Sequence, residues 1–331
     1  MMHLTSRNTS GLIKSIATFL LVFSAVSSFA QRQNIYFLKN DGRFVSSKDS
    51  ADYIRIVSEP DSGTVLYNVA DFYKNGKRKL VGKSATIESF KPEGIVISYY
   101  NNGNRKAVNN YANGLLNGEC IEYYPNGKVY TIKKHREGNN VGIGRVTEHD
   151  IMACRDSTGK ILAADGNGYY VGYDDDFKYI AEEGNIKNGK YDGTWKGEDK
   201  LIKVKFTEHY ESGVMKKGES TDSLGIIRTY QNRIVHPQFK GGMQGLYKYL
   251  ANNLHYPNEA RRDDISGTVI LKFVVKKDGT LKDIAVFKSV HNLLDKEAIR
   301  VLSKTDEWIP GYKCGLLVNV KFMLPVKFAL Q

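Results

Sequence analysis

The hydrophobic and polar positions are most regular in the last third of the chain. Apolar residues at helical spacing occupy 243–254, and Pro257 is expected to end that helix. A run of β-branched and aromatic residues at 268–276 predicts a strand, and the glycine-containing turn at 277–279 leads into a partner strand at 284–288. The pattern therefore predicts a helix followed by a β-hairpin.

A second helix and a last strand complete this unit. Asn292 is expected to be the N-cap residue of the helix, because Asp295 follows three positions later and an apolar stripe runs through 294–302. From 318 to 324 the apolar residues alternate with polar residues or methionine, which predicts a strand with one buried face. The expected fold class is α+β, with two helices and a three-stranded antiparallel sheet.

Six short motifs punctuate this segment in a fixed order. They are Phe239-Lys-Gly-Gly242, Tyr256-Pro257-Asn-Glu-Ala260-Arg261, Gly267-Thr-Val269, Lys277-Asp278-Gly279, Leu294-Asp-Lys-Glu-Ala298 and Trp308-Ile-Pro310-Gly311. Together they resemble the C-terminal domain of TonB, in the form common in Bacteroidetes-type chains. TonB is the periplasmic protein that links an inner-membrane motor to outer-membrane transporters. The resemblance covers 239–330, and the domain is expected to occupy 236–331.

Residues 65–232 repeat a different pattern, in which an aromatic pair precedes a turn that ends in glycine. The repeats are Asp71-Phe-Tyr-Lys-Asn-Gly76-Lys, Ser98-Tyr-Tyr-Asn-Asn-Gly103-Asn, Glu122-Tyr-Tyr-Pro-Asn-Gly127-Lys and Glu208-His-Tyr-Glu-Ser-Gly213-Val. The first three glycines are 27 and 24 residues apart, a period that predicts an all-β array of stacked hairpins. The segment at 138–176 is degenerate.

A second element, Asn113-Gly-Leu-Leu-Asn-Gly118 and Asn188-Gly-Lys-Tyr-Asp-Gly193, recurs between these turns. Asn-Gly predicts type I′ hairpin turns, since both central residues of that turn need positive φ. The aromatic residues are expected to stack from repeat to repeat. The array resembles MORN repeats, in the divergent form found in YwqK-type bacterial proteins. Residues 31–64 are expected to form a β cap over its first repeat.

Residues 1–30 have the pattern of a secretory signal peptide. Arg7 and Lys14 precede the apolar stretch 16–26, and small residues at Ser28 and Ala30 fit cleavage after Ala30. The sixteen residues at 15–30 are fewer than the roughly 20 that span a bilayer as a helix. We therefore expect export to the periplasm, with a retained inner-membrane anchor as the alternative.

The composition is that of a folded, soluble protein. The 331-residue chain has 25% charged and 41% hydrophobic residues, and its 31 Gly and 21 Tyr are typical of turn-rich β structure. The net charge of +12 fits a solubilising surface, and nucleic-acid binding is not expected because no Arg-rich run is present. Two alternatives stay open for the thiols: a Cys120–Cys154 disulfide that leaves Cys314 over, or three unpaired buried cysteines.

Motifs for chemistry are missing from the sequence. The seven His have no chelating spacing, and 166–172 lacks the Lys-Ser/Thr ending of a phosphate loop. There is no Gly-x-Ser-x-Gly motif, and 174–176 lacks the alternating ligands of a calcium loop. We therefore predict no catalysis, no cofactor and no metal.

The resemblance to TonB implies binding by strand addition, in which an extended peptide pairs with the open edge of the last strand. The implied partner is the TonB box of an outer-membrane TonB-dependent transporter, with an inner-membrane proton-driven motor complex and a homodimer as further possibilities. Tyr256 and Pro257 occupy the Tyr-Pro motif near the transporter contact, with a purely structural role as the alternative. The implied partner-binding residues are Tyr256, Pro257, Val318, Asn319, Val320, Lys321, Phe322, Met323 and Leu324.

Three functional hypotheses follow. The first is a periplasmic TonB-like binding protein with the repeats as spacer or docking surface. The second is an inner-membrane-anchored energy transducer. Such an anchor is expected to carry an ionisable group within the membrane, which the apolar stretch of 1–30 lacks. A proline-rich spacer is also expected, and the chain has only 7 Pro. The third is a non-energised envelope scaffold whose repeats bind protein, lipid or cell-wall polymer.

Overall fold

The structure is a computed structural model that describes residues 32–141, 144–306 and 308–330. The signal-peptide prediction for 1–30 lies outside these residues. Within them, no helix is both long enough and apolar enough to cross a membrane.

Residues 33–230 form one antiparallel sheet of eighteen strands. The strands are β1 (Gln33–Leu38), β2 (Phe44–Val45), β3 (Tyr53–Ser58), β4 (Tyr67–Tyr73), β5 (Arg78–Ser84), β6 (Pro92–Tyr99), β7 (Arg105–Ala112), β8 (Leu115–Leu116), β9 (Gly118–Tyr123), β10 (Val129–Val141), β11 (Gly144–Arg155), β12 (Ile161–Ala164), β13 (Asn167–Tyr173), β14 (Ile180–Lys187), β15 (Lys190–Asp199), β16 (Val204–Glu211), β17 (Val214–Asp222) and β18 (Ile227–Tyr230).

Successive strands pair with each other along nearly the whole sheet, as expected for stacked hairpins. From β3 to β7 and from β9 to β18 each strand is bonded to the next one in the chain. β9 also pairs with β7, and β1 pairs with both β2 and β3. The segment 31–64 therefore extends the repeat sheet at its first edge.

The Tyr-Tyr-x-Asn-Gly turns lie at one end of the strands, and their type differs from the prediction. In the first, Gly76 N–H donates to the Tyr73 carbonyl and Tyr73 N–H donates to the Lys77 carbonyl, each at 2.9 Å. Only Gly76 has positive φ there, at 80°, and Asn75 does not. This is a three-residue loop, a type I turn closed by a glycine bulge, so the type I′ prediction is wrong at these turns because the loop has one residue more.

Type I′ turns occur at the opposite end of the strands. Both central residues have positive φ at Asn113–Gly114, with 55° and 82°, and at Asn188–Gly189, with 52° and 79°. Ser212–Gly213 has the same geometry, so this glycine belongs to the second kind of turn although its sequence follows the first pattern. The type I′ prediction is confirmed for the second element.

Side chains of the repeat motif bond each glycine-bulge turn to the next. The second aromatic hydroxyl donates to a carbonyl oxygen one hairpin further on: Tyr73 to Tyr99 at 2.6 Å, Tyr100 to Tyr123 at 2.7 Å and Tyr124 to Arg155 at 2.8 Å. The asparagine amide does the same: Asn75 to Asn101 Oδ1 at 2.6 Å, Asn102 to the Pro125 carbonyl at 2.8 Å and Asn126 to the Ser157 carbonyl at 2.9 Å. The motif thus joins hairpin to hairpin.

The last acceptors belong to a repeat turn that the sequence pattern did not reveal. Gly159 N–H donates to the Asp156 carbonyl, and Asp156 N–H donates to the Lys160 carbonyl, as in the other glycine-bulge turns. Arg155 and Asp156 replace the aromatic pair, which is why this unit within the degenerate segment was missed.

All three cysteines are buried free thiols, so the Cys120–Cys154 disulfide is not formed. Cys120 lies in β9 and Cys154 in β11, with β10 between them. Two strand spacings amount to roughly 10 Å, beyond the ~7 Å between Cα atoms that a disulfide can bridge. Burial raises the pKa of each thiol, which disfavours the reactive thiolate form.

The last hundred residues form the terminal domain. Its elements are β19 (Ile234–Val235), β20 (Gln238–Phe239), α1 (Gly242–Asn253), α2 (Asn258–Arg262), β21 (Gly267–Val275), β22 (Leu281–Lys288), α3 (Asn292–Ser303), β23 (Trp308–Ile309), β24 (Gly311–Lys313), β25 (Leu316–Val318) and β26 (Val320–Phe328).

The main sheet of the terminal domain is antiparallel, in the order β22-β21-β26. Its buried face packs with α1 and α3 around one core, which includes Leu246, Val269, Leu294 and Leu324. Two small sheets, β19-β24-β25 and β20-β23, flank it. The two long helices and the three-stranded sheet agree with the expected α+β class, and α2 and the small strands were not anticipated.

Two boundaries differ from the predictions. His291, not Asn292, is the N-cap of α3, because its Nδ1 accepts from Leu293 N–H. The last strand of the main sheet begins at Val320 instead of Val318, since Val318 pairs with Gly311 in β24. The chain therefore passes from the small sheet to the main sheet between Val318 in β25 and Val320 in β26.

We expect Tyr124→Phe to destabilise the array. It removes the hydroxyl that donates to the Arg155 carbonyl and leaves this acceptor without that donor, which should cost about 1–2 kcal/mol. Tyr247→Phe, at a tyrosine that is 52% exposed, is the matched control and should change stability by less than about 0.5 kcal/mol. Thermal unfolding checks this, and equal melting temperatures for the two variants would contradict the role given to the motif.

Candidate partner-binding site

One edge of β26 is open. The strand pairs with β21 from Val275–Val320 to Gly267–Phe328, and none of the described strands pairs with its other edge. Side chains alternate along it: Leu324 and Phe328 are buried, whereas Lys321 and Met323 are exposed. The predicted alternation is therefore confirmed from Val320 onward, and it extends four residues beyond Leu324.

Pro325 indicates which main-chain groups the open edge offers. Proline has no N–H, and in sheets its nitrogen faces away from the partner strand. Along an antiparallel strand, N–H and C=O groups of alternate residues point to the same side. We infer that Met323 and Lys321, two and four positions before Pro325, direct their N–H and C=O groups away from β21.

A groove of about 670 Å³ runs beside this edge, and we call it the edge groove. Lys321, Phe322 and Met323 form one wall, and the opposite side comes from 232–239, the start of α1 and Trp308. Phe322 and Trp308 contact each other edge to face, with ring centroids 5.5 Å apart. The groove therefore combines free main-chain groups with an apolar, aromatic wall.

Tyr256 and Pro257 lie at the other end of β26. The Tyr256 hydroxyl donates to the Ile265 carbonyl at 2.6 Å, and its ring meets the Phe328 ring edge to face at 5.8 Å. Pro257 occupies the N-cap position of α2. Phe328 is five residues from Met323, about 17 Å along a strand. The structure thus gives Tyr256 and Pro257 packing roles and does not bring them to the edge groove.

The remaining predicted residues divide by position. Val318 is bonded into β25, and the Asn319 side chain accepts from Lys277 N–H at 3.1 Å. Val320 begins β26. The Leu324 side chain is fully buried and its main-chain groups face β21, so Leu324 presents no group to the open edge.

Sequence reasoning missed the far wall of the edge groove. Ile234 and Val235 in β19 pair with β24, and Phe239 in β20 pairs with Trp308 in β23. The motifs around Phe239 and Trp308 were visible as sequence signals, but their pairing joins segments that are distant in the chain.

A buried ion network joins the repeats to the terminal domain just before this wall. Arg233 Nε donates to Glu208 at 2.9 Å, and Arg233 Nη1 donates to Glu182 at 2.5 Å. Burial opposes the charge of Arg233, but its bonds with Glu208 and the nearby Glu182 raise the pKa of the guanidinium above its ordinary value. Tyr210 and Tyr230 hydroxyls also donate to Glu208, whose side chain is fully buried.

The hairpin β24–β25 packs against the last strands of the array. Ser220 Oγ donates to the Cys314 carbonyl at 2.6 Å, and Cys314 N–H donates to the Arg233 carbonyl at 2.7 Å. Lys313 forms an ion pair with Asp199. The segment 229–238, which runs from the end of β18 to the start of β20, is therefore built into this contact.

Comparison with known proteins agrees with this geometry. Residues 252–330 match the family model of the Gram-negative bacterial TonB protein C-terminal domain. The chain therefore ends in a TonB C-terminal domain, which indicates a TonB-like role in transport at the cell envelope. No curated protein matches the chain.

The match begins near the end of α1, so the opening motif at Phe239 and the far wall of the edge groove, apart from Trp308, precede it. The repeats also lie outside the match, and their resemblance to MORN repeats stays a prediction.

We expect Arg233→Ala to loosen the contact between the array and the terminal domain. It leaves the buried Glu208 carboxylate without its guanidinium, which should cost about 3–5 kcal/mol. Lys178→Ala removes an ion pair with Asp176 that is exposed to solvent, and it should leave the cleavage rate close to that of the unmodified protein. Limited proteolysis around 229–238 checks the effect, and cleavage at equal rates in both variants would contradict it.

Proposed function

We propose that this protein is an exported cell-envelope binding protein whose terminal domain captures the TonB box of an outer-membrane TonB-dependent transporter. The observation that carries the proposal is the open edge of β26 beside an apolar groove, within a domain that matches the TonB family. Strand addition needs these two features, an unpaired edge and a surface for alternate side chains of the peptide.

The peptide lies along β26 as a fourth strand of the main sheet. Its main chain bonds with Lys321 and Met323, which face outward, while every second side chain enters the edge groove against Phe322 and Trp308. Lys321 is exposed and offers a positive charge to an acidic side chain. Binding, not catalysis, is the role of the chain.

The array supplies a spacer that is bonded to the binding domain through the Arg233 network. The array can hold the binding domain at a fixed distance, because each hairpin is joined to the next by main-chain hydrogen bonds and by the motif tyrosines. A stacked-hairpin rod thereby replaces the proline-rich spacer that the chain lacks.

The state of residues 1–30 separates an adaptor from an energy transducer. We expect the mature protein to begin at Gln31 and to fractionate with the periplasm, which mass spectrometry of the native protein measures. A full-length chain in the inner membrane would instead favour direct coupling to a proton-driven motor.

N-methylated peptides test strand addition directly. We take a seven-residue synthetic TonB box peptide from a transporter of the source organism and methylate one backbone nitrogen at a time. Methylation removes a donor and introduces a clash, so positions that face β26 should lose about tenfold or more in affinity, while alternate positions should lose little.

The matched controls are the peptides methylated at a nitrogen that faces away from β26. They have the same composition as the test peptides and differ only in the edge of the peptide strand that carries the methyl group. Calorimetry gives the affinities, and sedimentation shows whether a second copy of the chain occupies the edge before the peptide is added. Losses without alternation along the peptide would contradict strand addition.

A further inference from the structure

A second groove lies where the array meets the terminal domain, and we call it the junction groove. Its volume is about 680 Å³. The array contributes 201–203, the connection between β15 and β16, and the terminal domain contributes β19, the β24–β25 hairpin and the start of β26. None of the described residues of the eighteen-stranded sheet lines the edge groove, whereas the junction groove brings residues of the array and of the terminal domain together.

Apolar side chains are exposed in the junction groove. Leu201 is 88% exposed and Ile234 is 54% exposed, and Tyr312 and Leu317 are each 38% exposed. A contiguous apolar surface of this kind marks an interaction site more often than scattered apolar residues do.

Positive charge surrounds this apolar surface. Lys203, Lys277 and Lys321 are exposed and line the groove, and no Asp or Glu is among its described lining residues. Lys313, the fourth lysine, is paired with Asp199. The groove is therefore complementary to a ligand that combines apolar groups with carboxylates.

The junction groove adjoins the edge groove and shares four lining residues with it. Ile234, Val235, His236 and Lys321 line both. Val320 and Asn319, where the chain passes from β26 to β25, lie in the junction groove. A strand that pairs with β26 and continues past Val320 therefore enters the junction groove and reaches the array.

We propose that the junction groove binds the continuation of the partner segment held by β26, and that this continuation alternates apolar and acidic residues. The proposal rests on the proposed function. It assigns the repeats a part of the binding site: Leu201 supplies an apolar contact and Lys203 a positive charge. The bound segment thus contacts both the open edge of β26 and the junction groove, and it is roughly twice as long as a segment that binds to the edge alone.

Peptide length and array variants test the proposal together. The probes are the seven-residue TonB box peptide and two fourteen-residue peptides, which extend it with Asp-Leu-Glu-Leu-Asp-Leu-Glu at either the N-terminal or the C-terminal end. An antiparallel peptide reaches the junction groove with its C-terminal extension and a parallel one with its N-terminal extension. One long peptide should bind at least about tenfold more tightly than the short one, because it buries further apolar side chains.

Leu201→Glu and Lys203→Glu should remove this gain and leave the affinity for the short peptide unchanged. The matched controls are Leu224→Glu, at a leucine that is 82% exposed in the next connection at the same end of the sheet, and Lys217→Glu. Neither residue lines the groove, and both controls should keep the gain. The gain should also shrink with added salt, since it depends on charge.

Three results overturn the proposal. The first is equal affinity for the short peptide and both long peptides, and the second is a gain that survives Leu201→Glu and Lys203→Glu; in either case the function proposed for β26 still stands. The third is Leu201-dependent binding of phosphatidylglycerol vesicles without any gain from the peptides, which would assign the groove to an anionic lipid surface. If no peptide binds at all, the proposed function fails and the inference fails with it.

Discussion

The ion network of Arg233 with Glu208 and Glu182 is the interaction on which the rest of the structure depends. Glu208 is fully buried in the array, and a buried carboxylate is tolerable only with a charged, hydrogen-bonded partner. Arg233 supplies that partner from the segment that leads into the terminal domain. The network therefore fixes where 234–239 runs; all of these residues line the edge groove, and 234–236 also line the junction groove.

Hydrogen bonds between neighbouring hairpins account for the sequence repeat of the array. Tyrosine hydroxyls and asparagine amides recur because each hairpin bonds to the next through them, and the bulge glycines recur because they close each turn. These polar side chains of the repeat motif are therefore engaged in hydrogen bonds within the sheet. The array residues that line the junction groove lie instead at a connection, 201–203, whose sequence carries no repeat motif.

Local patterns predicted much of the fold. Helix periodicity gave α1 to within about a residue, and Lys277-Asp278-Gly279 marked the hairpin between β21 and β22. The turn type at Gly76 was wrong because loop length, not the Asn-Gly pair alone, selects the turn. The Arg233 network, the pairing of Ile234 with Lys313 and the second groove depend on residues far apart in the chain, which periodicity and spacing do not reveal.

The central claim is that the open edge of β26 accepts a partner strand. Amide hydrogen exchange of the protein with and without the seven-residue TonB box peptide tests it most directly, because a bonded amide exchanges more slowly. The account predicts that Lys321 and Met323 amides become protected, whereas Phe322, whose amide already faces β21, changes little. Protection that appears elsewhere and leaves Lys321 and Met323 unchanged would contradict the account.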